Sequence, residues 1–197
     1  MKKLFYTLIA LSITPFILAN GPGGGEYKVD NKLSAIEWVG KKVTGQHSGT
    51  ISVKDGSIQV EDGKIVGGKL IIDMNTIVVT DIDDKETNAK LLGHLQSEDF
   101  FGVTDFPTAQ LDIDKVVHKE GDLHHVHGDL TIKGITHKVE VPTTVKMEGN
   151  KLVAVGETDI DRTLYKIKYG SGKFFDDLGD RMIYDDFTVK FKVGATK

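Results

Sequence analysis

From Glu26 onward the chain alternates apolar and polar positions. Leu70, Ile72 and Met74 sit on one side of a run whose other side begins with Lys69 and ends with Asp73. Leu111 and Ile113 repeat the spacing, as do Leu130 and Ile132, Val139 and Val141, and Phe187, Val189 and Phe191. A period of two marks strands with one dry face and one wet face. Turn signals separate the runs: Asp55-Gly56, Asp62-Gly63, Gly67-Gly68, Glu120-Gly121-Asp122, Lys133-Gly134 and Gly149-Asn150. Glycine supplies the positive φ that tight hairpins need. The pattern predicts strands over 27–40, 43–54, 57–61, 65–78, 108–117, 124–133, 137–148, 151–161 and 185–194, which makes eight or nine. Even spacing and antiparallel hairpins predict an all-β fold, a sandwich or an up-and-down barrel.

Two stretches break the period. Residues 83–98 place Leu91, Leu92 and Leu95 at helical spacing behind Asp83 or Asp84, so they predict one short helix with an acidic cap. Phe100, Phe101, Phe106 and Pro107 follow it as an aromatic loop. The segment 162–184 is a second irregular region, with Tyr165, Tyr169, Phe174, Phe175 and Tyr184. Small residues at inward positions, Gly68, Ala109, Gly128, Ala154 and Gly156, are expected to leave room inside the barrel.

The first residues follow different rules. Lys2 and Lys3 precede an apolar run from Leu4 to Leu18, and Ala19 is small. This is the layout of a secretory signal peptide over 1–19, with a flexible leader over 20–25 and one barrel domain over 26–197. The run is shorter than the ~20 residues a spanning helix needs. The chain of 197 residues has a net charge of −4; losing Lys2 and Lys3 takes the balance to −6. A mildly acidic chain is a poor match for nucleic acid. The absence of Cys removes disulfides, thiolate metal sites, a thiol nucleophile and a lipid-modified cysteine.

Alternation alone does not say whether the dry face points to a core or to lipid. Each strand carries only three or four apolar residues on that face, short of the ~25 Å band of a membrane barrel. The chain also ends in Lys197 rather than an aromatic residue. The dry face is therefore read as the interior. An eight-stranded barrel has space inside for side chains or for one small ligand.

Catalytic motifs are scarce. The chain holds no G-x-S-x-G elbow, no H-E-x-x-H and no phosphate-binding P-loop. His125 and His127 share the wet face of one strand, with no third ligand supplied by the sequence. His94, beside Leu91 and Leu95, is a candidate polar contact at the barrel mouth. No enzyme activity, metal or cofactor is expected.

Two segments carry a family resemblance: GHLQSEDFFGVTDFPTAQL at 93–111 and GDLTIKGITHKVEV at 128–141. With Tyr27-Lys28-Val29-Asp30, Ile36-Glu37-Trp38 and Ile160-Asp161-Arg162-Thr163, the sequence resembles the YceI-like family of bacterial polyisoprenoid-binding proteins over 26–194. The resemblance implies a lipocalin-like antiparallel eight-stranded β-barrel with one short helix and aromatic-rich loops. It also implies export to the periplasm, a homodimer, and a long isoprenoid chain, polyprenyl phosphate or quinone-like, held in the interior. Transient membrane contact follows if the lipid is exchanged there.

The residues expected to line that tunnel are Trp38, Leu70, Ile72, Leu92, Leu95, Phe100, Phe101, Leu111, Leu130, Val141 and Phe187, with His94 as a polar contact. A phosphorylated head group would need cations at the mouth, and Lys41, Lys42, Arg162, Lys166, Lys168 and Lys173 are the candidates, Arg162 equally as a buried structural ion pair. The competing expectation is a structural or stress-related interaction protein whose barrel is filled. Interior volume separates the two.

Overall fold

The computed structural model describes residues 24–197; the signal peptide expected over 1–19 and most of the leader lie outside them. Eight strands close into one antiparallel barrel in sequence order: β1 (Gly25–Lys42), β2 (Gly45–Glu61), β3 (Lys64–Val79), β4 (Thr108–His118), β5 (Leu123–Ile132), β6 (Ile135–Glu148), β7 (Lys151–Asp161) and β8 (Ile183–Thr196). Closure comes from β1 pairing with β8, with Trp38 opposite Val189 and Lys28 opposite Thr196. Every neighbour in the barrel is also a neighbour in sequence, except at this seam, so hairpin chemistry alone sets most of the topology.

Four of the six expected turns are turns. At Asp62-Gly63 and Lys133-Gly134 both residues of the dipeptide have positive φ, 47° and 73° in the first, 54° and 70° in the second. That is the two-residue hairpin geometry whose twist matches the strands. Asp55-Gly56 and Gly67-Gly68 are not turns. They lie inside β2 and β3, where the pairing register shifts, so the expected strands 43–54 and 57–61 are one bent strand. A Cβ on Gly56 would stand 2.6 Å from the carbonyl oxygen of Lys69. These glycines admit a close approach between bent strands rather than a reversal. Gly68 and Gly128 do the same, with a neighbouring carbonyl oxygen 2.7 Å and 2.3 Å from the position of a Cβ. They bring strands together, and do not widen the interior as the sequence pattern suggested.

The helix α1 (Lys85–Gln96) joins β3 to β4. The carboxylate of Asp84 accepts from the Thr87 backbone N–H at 2.9 Å, satisfying one of the donors a helix start leaves open. The Asn88 side chain donates to the carbonyls of Val79 and Ile82, both at 3.0 Å, which ties the helix to the end of β3. Leu95 is buried against the barrel, and Leu91 and Leu92 pack beside it.

The core divides into two clusters. One sits at the end carrying α1 and includes Met74, Ile77, Leu95, Phe100, Ile132, Tyr165 and Ile167. The other closes the far end, where Tyr27, Ile58, Val60, Val145, Leu152 and Ala195 pack together near the start of β1 and the end of β8. The inward side chains between them, such as Leu70, Leu111, Leu130, Val189 and Phe191, are only half-buried. They face empty space.

Candidate functional site

That space is a cavity of about 470 Å³ running along the barrel between the two clusters. It falls within the roughly 300–1,000 Å³ typical of small-molecule sites. Leu70, Ile72 and Met74 of β3, Ala109, Leu111 and Ile113 of β4, and Val126, Leu130 and Ile132 of β5 supply one wall. Within these stretches each strand contributes alternate residues, as an intact sheet must; Ile65, Ile77 and Val116 join the lining beyond register shifts in the ladders.

β6 and β7 differ. Consecutive residues His137, Lys138, Val139, Glu140 and Val141 of β6 line the cavity, and so do Thr158, Asp159, Ile160 and Asp161 of β7. Residues of both parities meet the same space only where it passes the edge of a strand. The pairing agrees: the β6–β7 ladder runs from Glu148↔Lys151 to Thr143↔Gly156 and ends there. Beyond it β6 pairs only with β5 and β7 only with β8. The cavity therefore opens sideways, through a slot between β6 and β7.

Pro142 accounts for where the ladder stops. Its carbonyl oxygen lies 2.6 Å from the position a Cβ would take on Gly156, so it points towards β7. In a strand the N–H and C=O of one residue point the same way, and proline has no N–H to give. The next pair, Pro142 with Glu157, would lose one of its two hydrogen bonds. The Phe191 ring lies as close to Gly156, 2.5 Å from the same position, so a side chain there is excluded too.

The slot is capped by the 3₁₀ turn Arg162–Tyr165. Asp161 starts this turn by accepting from the Thr163 backbone N–H at 2.8 Å and from its hydroxyl at 2.5 Å, and it also accepts from Lys173 at 3.0 Å. Burial pushes the Asp161 carboxyl up, but these bonds outweigh it and hold the group below the usual carboxylate range. Arg162 is buried, 3% exposed, and its nitrogens donate to the carbonyls of Ile167 (2.7 Å), Tyr184 (3.1 Å) and Ile183 (3.1 Å). Asp185 stands 3.7 Å away. Burial lowers the guanidinium's affinity for its proton, and Asp185 and Asp161 oppose that shift. Across the slot, His137 Nε2 lies 3.1 Å from the Leu164 carbonyl. The Tyr165 ring packs edge-on to His137, and burial pushes its hydroxyl up to about 12.

Of the twelve side chains expected at the tunnel, ten line the cavity: Trp38, Leu70, Ile72, Leu95, Phe100, Phe101, Leu111, Leu130, Val141 and Phe187. Leu92 and His94 do not. Leu92 packs on the helix-end cluster, and the His94 ring lies edge-on to Phe100 (4.8 Å) and Tyr169 (4.4 Å). On a helix, position 94 is turned about 100° from Leu95, and its ring covers Phe100 without reaching the cavity. Of the six expected cations only Arg162 lines the cavity. Lys173 is paired with Asp161 and Asp185, and Lys168 lies over the Phe174 ring. His125 and His127 lie on the outer face, both against Glu140. Tyr165, Ile167 and the slot residues other than Val141 and Arg162 were not among the expected site. Nothing in the local pattern of KIKYG or VEVP gives their position.

The chain matches the YceI-like domain family over residues 27–195. A UPF0312 protein of Shewanella denitrificans is 28% identical over 184 residues, which is 87% of this chain and 90% of that protein. A UPF0312 protein of Yersinia pestis is 29% identical over 149 residues, 73% of this chain and 74% of the relative. Among solved structures, Burkholderia cenocepacia BcnA aligns with a TM-score of 0.66 at 25% identity, covering 85% of this chain and 99% of BcnA. A polyisoprenoid binding domain from Saccharophagus degradans aligns with a TM-score of 0.63 at 15% identity, over 86% and 97% of the two chains, which is a likeness of fold.

Proposed function

The chain belongs to the YceI-like family, and on that premise we propose that its barrel holds a long isoprenoid chain and carries or stores it. The observation that carries this reading is the cavity: about 470 Å³, walled by aliphatic and aromatic side chains, closed at one end and open through one side. An apolar tail gains about 0.8 kcal/mol for each CH₂ taken out of water, so a long tail needs few polar contacts. The Saccharophagus degradans domain of the same fold is a polyisoprenoid-binding one, which supports the class of ligand. A barrel filled by its own side chains would suit an interaction protein instead, and the empty interior favours the carrier over it. The carrier is a binding protein rather than an enzyme.

The expected signal peptide over 1–19 supports action in the periplasm, where an insoluble tail must cross water between membranes. Leu164, Tyr169, Phe174, Phe175 and Tyr184 are exposed around the slot end, with Lys166 and Lys168 among them. Amphipathic aromatics beside lysines suit brief contact with a lipid surface during exchange.

The test is direct. Protein made in its native host is purified without detergent, extracted with organic solvent, and the extract is analysed by mass spectrometry. A long-chain isoprenoid in near-stoichiometric amount is the expected result. A lipid-free extract, together with no binding of any prenyl chain by the emptied protein, removes the proposal.

A further inference from the structure

The polar groups that face the cavity at the slot are of two kinds. The charged ones are occupied or acidic. Arg162 donates to three backbone carbonyls. Lys138 is bonded to Asp114 at 2.6 Å and to Asp129 at 3.0 Å. These are the only lysine and arginine among the described residues lining the cavity, and Glu140, Asp159, Asp161 and Asp186 line it beside them. The Glu140 carboxylate is turned to His125 and His127 on the outer face, Asp159 to Thr188, and Asp161 to Thr163 and Lys173, so a phosphate placed there meets no uncommitted cation.

The uncharged groups are free. Tyr165 is 1% exposed and lines the cavity, and its hydroxyl has no hydrogen-bond partner among the described residues. Thr158, on the inward side of β7, is likewise without one. A hydroxyl that faces an apolar cavity and makes no bond within the protein keeps its donor and acceptor free for a ligand placed there. Both lie on the slot, one on each side of the Asp161–Arg162 junction.

We infer that the polar end of the bound lipid is an uncharged oxygen, a hydroxyl or carbonyl, held in the β6–β7 slot by the Tyr165 and Thr158 hydroxyls, and that the phosphate ester of the same chain is rejected there. This rests on the lipid-carrier reading and narrows it to neutral isoprenoid-type lipids. The raised Tyr165 hydroxyl stays protonated across the working pH range, so it remains a neutral donor. Tail length sets how much of the cavity is filled; the slot sets which head is accepted.

Three probes of one chain length separate the outcomes: a prenyl hydrocarbon, the prenyl alcohol and the prenyl monophosphate. Each is titrated into delipidated full-length protein by competition with a fluorescent lipid. The alcohol is expected to bind at least about tenfold tighter than the monophosphate. Tyr165→Phe is expected to weaken the alcohol by roughly 2- to 12-fold, the range of one neutral hydrogen bond, and to leave the hydrocarbon unchanged. Thr158→Val repeats the comparison in a strand that does not cap the slot, should the tyrosine variant fold poorly. A monophosphate that binds as tightly as the alcohol overturns the inference and leaves the carrier reading standing. So does a pair of variants that leave alcohol binding untouched. Failure of all three probes, hydrocarbon included, overturns the carrier reading itself.

Discussion

Replacing Arg162 by leucine removes the donors to three carbonyls that lie 5, 22 and 21 residues further along the chain, at Ile167, Tyr184 and Ile183. It also leaves Asp185 without its nearest buried cation, and one oxygen of that carboxylate already has no hydrogen-bond partner. Truncating one side of a buried charged network typically costs about 3–5 kcal/mol. Arg162→Leu is therefore expected to lower stability by about that amount, read from the midpoint of denaturant unfolding. Arg162→Lys should recover only part of it, because an ammonium cannot span three carbonyls set in a plane around it. Equal stability of both variants and the parent would show the network to be incidental. The residue shows what a sequence does and does not disclose at this scale. Its charge and its place near the mouth are legible in Ile160-Asp161-Arg162-Thr163. Its partners are backbone atoms brought in by β8, and backbone carbonyls carry no letter in the sequence. His94 shows a related limit: helical spacing puts it beside Leu91 and Leu95, but its ring packs edge-on to Phe100 and Tyr169 and does not line the cavity.

At the scale of elements, the period of two was enough to find all eight strands, and the capped leucine spacing enough to find α1. Turn dipeptides were ambiguous. Asp62-Gly63 and Asp55-Gly56 have the same composition, yet only the first reverses the chain. What distinguishes them is whether a facing strand holds the dipeptide in extended pairing, and that is not a local property. The slot is a further case. Pro142 is visible in the sequence, but its effect depends on which neighbour its missing N–H would have faced. Pro142→Val restores that donor towards Glu157, while Val suits an extended strand. The ladder is expected to lengthen by the Pro142–Glu157 pair and the slot to narrow. Amide hydrogen exchange at Glu157 should slow, and release of a bound fluorescent lipid should slow with it. Faster exchange at this amide, or unchanged release with a lengthened ladder, would separate the slot from the route of access.

For the whole molecule, the two clusters act as ends and the cavity as the space they leave. A barrel of eight strands is only just wide enough to be hollow, so the choice of inward residues decides how far along its axis the hollow runs. The far end is fixed by Leu152 and Val60, which are almost fully buried, and Ala154 packs on that cluster while also lining the cavity. Ala154 pairs with Val145 on β6 and Val193 on β8, both part of the same lining. Ala154→Leu adds three carbons pointing into existing space rather than into packed atoms, so it avoids the overpacking that usually costs about 1–3 kcal/mol. Stability should hold or rise, since the new side chain gains contacts that the empty cavity withholds. The tail that fits should become shorter, because the floor of the cavity has moved towards the slot while the head-group contacts have not. Across a series of prenyl alcohols, the tightest-binding chain is expected to shorten by about one isoprene unit in the variant, with thermal unfolding no earlier than in the parent. An unchanged length preference in a folded variant would mean that the tail does not run from the slot towards the closed end, and the depth of the barrel would then have no part in selecting its ligand.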